Sequence, residues 1–172
     1  MNLVFRVSDS QRLIFVASAV EQMLAFRQRS WWQSEAGGIL LGRHLLDSED
    51  VVVDEVTTPQ NSDRRGRFSF FRSKKHGKIA QARWSEEAST LAYLGLWHTH
   101  PESDPTPSGV DRRDWAQALS KDTFHGTRLF FPIVGIERIR VWSTGSDGAF
   151  FELKEELKHG KDTSTSNHPG RD

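Results

Sequence analysis

Short apolar blocks of strand length alternate along this chain with segments in which apolar residues recur every three or four positions, a pattern of mixed strands and helices. Residues 12–17 (RLIFVA) read as a strand. Ser18 and Glu21 then have the spacing of a capping box, so a helix is expected to about residue 28, with Val20, Met23 and Leu24 facing inward. Trp31 and Trp32 follow and are expected to pack over the helix end. Residues 38–45 and 51–56 are β-rich and separated by a polar stretch, which predicts an antiparallel pair. Residues 57–67 (TTPQNSDRRGR) are polar and punctuated by Pro59 and Gly66. Within residues 74–89, Ile79, Ala80, Arg83 and Trp84 lie at helical spacing. His76 lies on that helix without a partner at metal-ligand spacing and reads as structural or solvated. Residues 91–96 (LAYLGL) form a strand block, a helix opens at Ser108, and residues 128–136, 138–142 and 150–153 read as further strands.

From residue 154 onward the sequence is polar (KEELKHGKDTSTSNHPGRD) and is expected to form a flexible tail, 154–172, behind a single domain, 1–153. His159 and His168 fall in that tail without a carboxylate pattern and are given no metal role. The element order predicts an α/β domain with a curved, mostly antiparallel mixed sheet flanked by helices.

Composition narrows the function. Lys+Arg and Asp+Glu both number 23, so no global basic excess points to nucleic acid or to an anionic membrane. The absence of cysteine excludes a disulfide scaffold, a thiol protease and any cysteine-ligated zinc site. Residues 1–6 carry no basic segment followed by a long apolar one, and no apolar run approaches membrane-spanning length, from which a cytoplasmic protein is expected.

The chemistry concentrates in Trp97-His98-Thr99-His100-Pro101, at the end of the apolar strand block. Residues i and i+2 of a strand share a face, so His98 and His100 can converge on one point. A loop containing Pro101, Pro105 and Pro107 then delivers Ser108, and Asp111 falls in the first turn of the following helix, where Trp115, Ala118 and Leu119 can pack inward. Two neutral imidazoles and a carboxylate suit zinc and leave a position for water, although iron, manganese or cobalt accept the same ligands. Each part has a plainer reading when taken alone. Ser108 with Asp111 is also a helix capping box, and a His-x-His pair is also two hydrogen-bonded rings. A proton carrier is sought upstream at Glu35, which precedes Gly37-Gly38 and an apolar strand, where a plain surface glutamate is the other reading.

Together the phrases EAGGILLGR, LGLWHTHPE and PTPSGVDRRDW resemble the JAB/MPN metalloprotease domain, over about residues 13–141. Its JAMM motif joins an upstream glutamate to His-x-His, seven residues, Ser, two residues and Asp, and all five positions match. The resemblance implies a cytidine-deaminase-like fold, Zn²⁺ held by His98, His100 and Asp111, Glu35 as general base and later proton donor, and Ser108 steadying the oxyanion. It further implies hydrolysis of the amide after the C-terminal residue of a ubiquitin-like protein. A segment near residues 59–71 lies beside the substrate groove in this family, so Arg64, Arg65, Arg67 and Phe68 are candidate substrate contacts. A solvated basic loop is the alternative reading of those arginines. The likeness is strongest to the prokaryotic JAB isopeptidases of CBASS antiphage operons, whose role is to release a CD-NTase from proteins conjugated to its C-terminus. A protease for another bacterial ubiquitin-like or sulfur-carrier protein, and a metal-free MPN scaffold, are the alternatives. A monomer or homodimer is expected, with neither nucleic acid nor membrane as partner.

Overall fold

The computed structural model describes residues 1–87 and 90–157. Its strands are β1 (Leu3–Arg6), β2 (Arg12–Phe15), β3 (Gly37–His44), β4 (Val51–Val56), β5 (Arg64–Gly66), β6 (Ser69–Phe71), β7 (Ala92–Thr99), β8 (Phe130–Val134), β9 (Ile139–Thr144), β10 (Phe150–Glu152) and β11 (Lys154–Glu155). The helices are α1 (Ala17–Leu24), α2 (Lys75–Glu86) and α3 (Gly109–Lys121). Nine strands form one sheet in the order β10-β9-β8-β7-β3-β4-β2-β1-β11, and β5 and β6 form a separate ribbon. Only the β2–β4 and β7–β8 pairs are parallel, so the expected α/β fold with a mixed, mostly antiparallel sheet is what forms.

Both faces of this sheet are covered, which gives two apolar clusters. One gathers Phe5, Phe15, Met23, Leu40, Leu94 and Trp97, with α1 contributing Ala19, Val20 and Met23. The other gathers Ile39, Leu41, Leu96, Phe131 and Trp142 around Trp115 of α3. The Trp115 ring stacks on Phe131, with centroids 4.8 Å apart and planes 16° apart, which fixes the rotation of α3 about its axis. Asp111 lies one turn before Trp115 on the same helix face.

Sequence alternation places Leu94 and Leu96 on one face of β7, yet they belong to opposite clusters. The pairing of β3 with β7 shifts register between Leu40 and Leu41, opposite Gly95. Gly95 has φ +148°, and a Cβ there would lie 1.9 Å from Phe130 O, so no other residue fits this irregularity. The slip turns Leu96, and with it His98 and His100, to the face that α3 covers.

Several local expectations change. No capping box forms at Ser18 and Glu21: Val16 is the N-cap without a side-chain hydrogen bond, and Asn2 Oδ1 accepts from Ala17 N at 3.0 Å. The helix also ends at Leu24, and the chain turns so that Gln28 enters the core. Trp31 and Trp32 do not pack over the helix end but stand 75% and 69% exposed, in a turn whose Ser30 and Trp31 carbonyls accept from Arg67. β1, too short to announce itself, pairs antiparallel with β2.

Residues 154–157, expected in the tail, are ordered by main-chain bonds that do not depend on side-chain polarity. Phe150–Glu152 pairs with β9 at one edge of the sheet, and Lys154–Glu155 pairs with β1 at the other. Leu153 N donates to Val141 O at 2.8 Å and Glu156 N to Val4 O at 2.8 Å. One short segment therefore covers both edges, which would otherwise present free N–H and C=O groups. The remaining tail, with His159 and His168, lies outside the described residues, as does Ser89 at the expected end of α2.

Of the two readings of His76, structural or solvated, the buried structural one holds. Thr57 Oγ1 accepts from Ile39 N at 2.8 Å and is hydrogen-bonded to His76 Nδ1 at 2.6 Å, and the other ring nitrogen, Nε2, is 2.9 Å from the Asp63 carboxylate. Burial opposes ionisation of Asp63, but bonds from Gln60 N, His76 and Ser73 outweigh it and hold the carboxyl at about 2. This chain ties the polar 57–63 loop and the start of α2 to the sheet.

Leu153 is 3% exposed at the point where the two sheet edges meet. Leu153→Ala is expected to cost about 2–4 kcal/mol in urea denaturation, as for a buried leucine. A loss below about 1 kcal/mol would mean that closure of the sheet contributes little.

Candidate active site

Antiparallel pairing sets the distance between the two halves of the site. Gly37 of β3 is opposite His98 of β7, and just beyond the ladder Thr99 N donates to Ala36 O at 2.8 Å. Glu35 is therefore carried to the end of β7, level with His98 and His100. Gly37 admits the ribbon at this point, because a Cβ would lie 2.7 Å from the Phe70 ring.

His98, His100 and Asp111 converge as their spacing predicts. His98 Nε2 is 3.0 Å from His100 Nε2, and Asp111 Oδ1 and Oδ2 lie 3.1 Å from His98 Nε2 and 3.3 Å from His100 Nε2. Their ligand atoms all lie within 4.8 Å of one another. Two facing Nε2 atoms can share only one proton, and the set offers two nitrogens and a carboxylate to a common point, which suits a zinc-type cation. Glu35 Oε1 stands 3.9 Å from His100 Nε2. Glu102, not singled out from the sequence, places its carboxylate 3.5 Å from His100 Nδ1, and its Oε2 also accepts from Thr106 N. Its position two residues after His100 is the only signal the sequence offered.

Burial dominates the electrostatics. It keeps His98 below its usual pKa despite the adjacent Asp111. Burial works the same way on His100, but Asp111, Glu35 and Glu102 outweigh it and raise its pKa. Asp111 lies well below the usual carboxylate range because hydrogen bonds from His100 and His98 overcome the effect of burial. Glu35 is pushed up to about 7 chiefly by burial; His100 opposes the shift, and Asp111 and Glu102 add to it.

Ser108 caps α3. Its Oγ accepts from Asp111 N at 3.2 Å, and Asp111 Oδ2 accepts from Ser108 N at 2.6 Å. The Oγ–H proton is not used by this box. Both plainer and functional readings of the pair thus coexist, since the capping geometry itself orients the Asp111 carboxylate.

The arginines of the 57–71 segment have separate surroundings. Arg65, though exposed, reaches back to the site, with Nε donating to Glu35 O at 2.7 Å and Nη2 to Ser34 O at 3.3 Å. Arg67 is engaged with the Ser30–Trp31 backbone and lies over Phe68, which is 73% exposed. Arg64 lies over Phe71. The ribbon also receives Glu35 N at Gly66 O, 2.7 Å away. It therefore grips the main chain of Glu35 on both sides.

The family of prokaryotic homologs of the JAB domain matches residues 16–145. The chain belongs to that family. It is 38% identical over 115 residues to a protein of Pseudomonas aeruginosa (strain BWHPSA011 / Pa011) named CD-NTase/cGAS isopeptidase, covering 66% of this chain and 72% of the relative. A Vibrio cholerae protein of the same name is 32% identical over 124 residues, covering 71% and 78%. Among solved structures, protein DSY2949 from Desulfitobacterium hafniense superposes with a TM-score of 0.57 at 27% identity, covering 85% of this chain and 95% of that one.

The raised pKa of Glu35 in this JAB-family chain has a defined sign. The folded chain retains a proton that the unfolded chain releases above pH ~4.5, so stability is full below that pH and is lost as pH rises through about 7. With a chelator present, Glu35→Gln should raise the melting temperature relative to wild type by a few degrees at pH 8 and by almost nothing at pH 4.5. An equal difference at both pH values would mean that Glu35 does not titrate in this range.

Proposed function

We infer that this chain is a zinc-dependent isopeptidase that cuts the amide after the C-terminal residue of a conjugated protein, a CD-NTase or another ubiquitin-like partner. The observation that carries this reading is the convergence of Glu35, His98, His100 and Asp111 at one buried strand end. The names of the relatives favour a CD-NTase conjugate, and the resemblance of the sequence to CBASS isopeptidases favours a place in cytoplasmic antiphage defence.

His98, His100 and Asp111 would hold the ion through the nitrogens and carboxylate described above. Zinc at such a site supplies Lewis acidity and lowers the pKa of water. Glu35, close to neutrality in its affinity for a proton, takes one from the attacking water and returns it to the leaving amine. Ser108 offers its unused Oγ–H to the negative charge that develops on the carbonyl oxygen. No covalent bond to the protein forms; water attacks the carbonyl carbon, the C–N bond breaks, and the products are a carboxylate and an amine.

A groove of about 790 Å³ between α2 and α3 supports an extended peptide as substrate. Its floor includes Ile39 and Leu96, and Leu96 lies two residues from His98 on the same strand face, roughly 6–7 Å along β7. Arg72 and Asp114, which form an ion pair, line it from the 72–77 segment and from α3. Arg64, Arg65, Arg67 and Phe68, all exposed on or beside the ribbon, are the candidate contacts for the body of the conjugated protein.

The test joins the C-terminal tail of a CD-NTase, or of a ubiquitin-like protein, to a reporter through an amide. Wild type should release the reporter, and Glu35→Ala, His98→Ala or chelation should reduce the rate more than about 10³-fold, while Ser108→Ala costs about 10²–10³-fold. Cleavage of ubiquitin-like tails but not of CD-NTase tails would move the substrate to another conjugation system. A chain with no stoichiometric metal and no cleavage of any tail would be a scaffold.

A further inference from the structure

We propose that Gln28 is a positioning residue that sets the place of the Glu35 carboxylate relative to His98 and His100. This deepens the isopeptidase reading and rests on the role of Glu35 in it. Gln28 is 2% exposed although it lies beyond the end of α1, in a segment whose neighbours Arg27 and Arg29 are more open. A carboxamide that deep must be hydrogen-bonded at both ends.

The bonds run to three separate segments. Thr99 Oγ1 donates to Gln28 Oε1 at 2.9 Å, and Gln28 Nε2 donates to Gln33 O at 3.1 Å and to Arg67 O at 2.9 Å. The orientation is fixed by the two carbonyls. Gln33 O and Arg67 O can only accept, so Gln28 Oε1 is the amide atom left to face Thr99, whose Oγ1 accepts from Ala36 N at 2.9 Å and has a proton to give. The two carbonyls accept only, so the amide nitrogen must face them. Every proton in the cluster thus has one destination.

Each of those segments bears on the site. Thr99 lies between the two histidines, with its side chain on the opposite face of β7, and holds Ala36 by both main-chain groups. Gln33 belongs to the turn that leads into Glu35. Arg67 adjoins Gly66 and Arg65, which hold the N–H and C=O of Glu35. Gln28 therefore joins the histidine strand, the approach to Glu35 and the ribbon that clamps Glu35. Thr99 by itself ties the histidine strand to Ala36, and Gln28 extends that tie to Gln33 and to Arg67 of the ribbon. The Glu35–His100 separation of 3.9 Å depends on all three keeping their places. A displacement of about 1 Å at a reacting group is enough to cost on the order of 10²-fold in rate.

The test compares wild type with Gln28→Leu, which fills the space but removes the bonds. Gln28→Asn keeps the amide on a shorter stem and is read if Gln28→Leu fails to fold. Zinc content, hydrogen exchange at the Glu35 and Ala36 amides, and kcat and KM on a tail–reporter fusion are measured well below each melting temperature. Ser143→Ala, which removes a buried bond to Leu129 O two strands from β7, controls for general destabilisation.

The expected result is one zinc per chain retained, at least about tenfold faster exchange at Glu35 and Ala36 with His100 N still protected, and kcat lowered 10- to 100-fold with KM nearly unchanged. Ser143→Ala should lower the melting temperature while leaving kcat within about twofold. Unchanged exchange at Glu35 and Ala36 would overturn the proposal. So would loss of zinc, which would place the effect on the ligands. If wild type cleaves no tail, the isopeptidase reading fails, and the exchange and zinc measurements still decide whether Gln28 holds Glu35 in place.

Discussion

The antiparallel pairing of β3 with β7 is the constraint on which the site depends. Glu35 and His98 are far apart in sequence, and the ladder brings them to one level by matching Gly37 with His98. A slip of one residue would invert every side chain of β7 and turn both imidazoles away from α3. Register is held by side chains as well as by the ladder. Thr57 Oγ1 accepts from Ile39 N, Trp97 Nε1 donates to Thr57 O, and Thr99 Oγ1 accepts from Ala36 N, all in buried surroundings where an unmatched polar group is costly.

The third ligand arrives by a different route. Asp111 reaches the histidines because α3 is fixed in rotation by Trp115 against Phe131, and because the proline loop before it is anchored at Glu102 and Pro105. Ile136 N donates to Glu102 O and Arg140 Nη1 donates to Pro105 O, so this loop is held against the β8–β9 connection. The capping box then aims the carboxylate. An ordinary device for starting a helix places a charged group where two imidazoles can use it.

Such a site is poor material for a core. Four ionisable groups gather at a buried strand end, and burial drives Glu35 and His98 towards their neutral forms. The scaffold around them compensates with two apolar clusters, closure of the sheet by residues 150–156, and a buried Thr57–His76–Asp63 chain in which every polar atom named has a partner. A cation binding there would neutralise the charges that the fold holds together and couple metal binding to stability.

Local patterns in the sequence determined much of this. The apolar blocks of β3, β4, β7, β8 and β9 and the helical spacing of α2 and α3 come from side-chain period alone, and the His-x-His interval fixes a shared face whatever surrounds it. What tertiary structure decided is everything that depends on a partner distant in sequence. The bulge at Gly95 chose which face the histidines occupy, since a single irregular residue leaves no periodic signal. The polar segment 154–157 became ordered because main-chain bonding to β1 asks nothing of side-chain hydrophobicity. Arg65, a candidate substrate contact, also clamps the Glu35 carbonyl, and Gln28 left the end of a helix for the core. Long polar side chains reveal their bonds only once the fold has brought the other atom within about 3 Å.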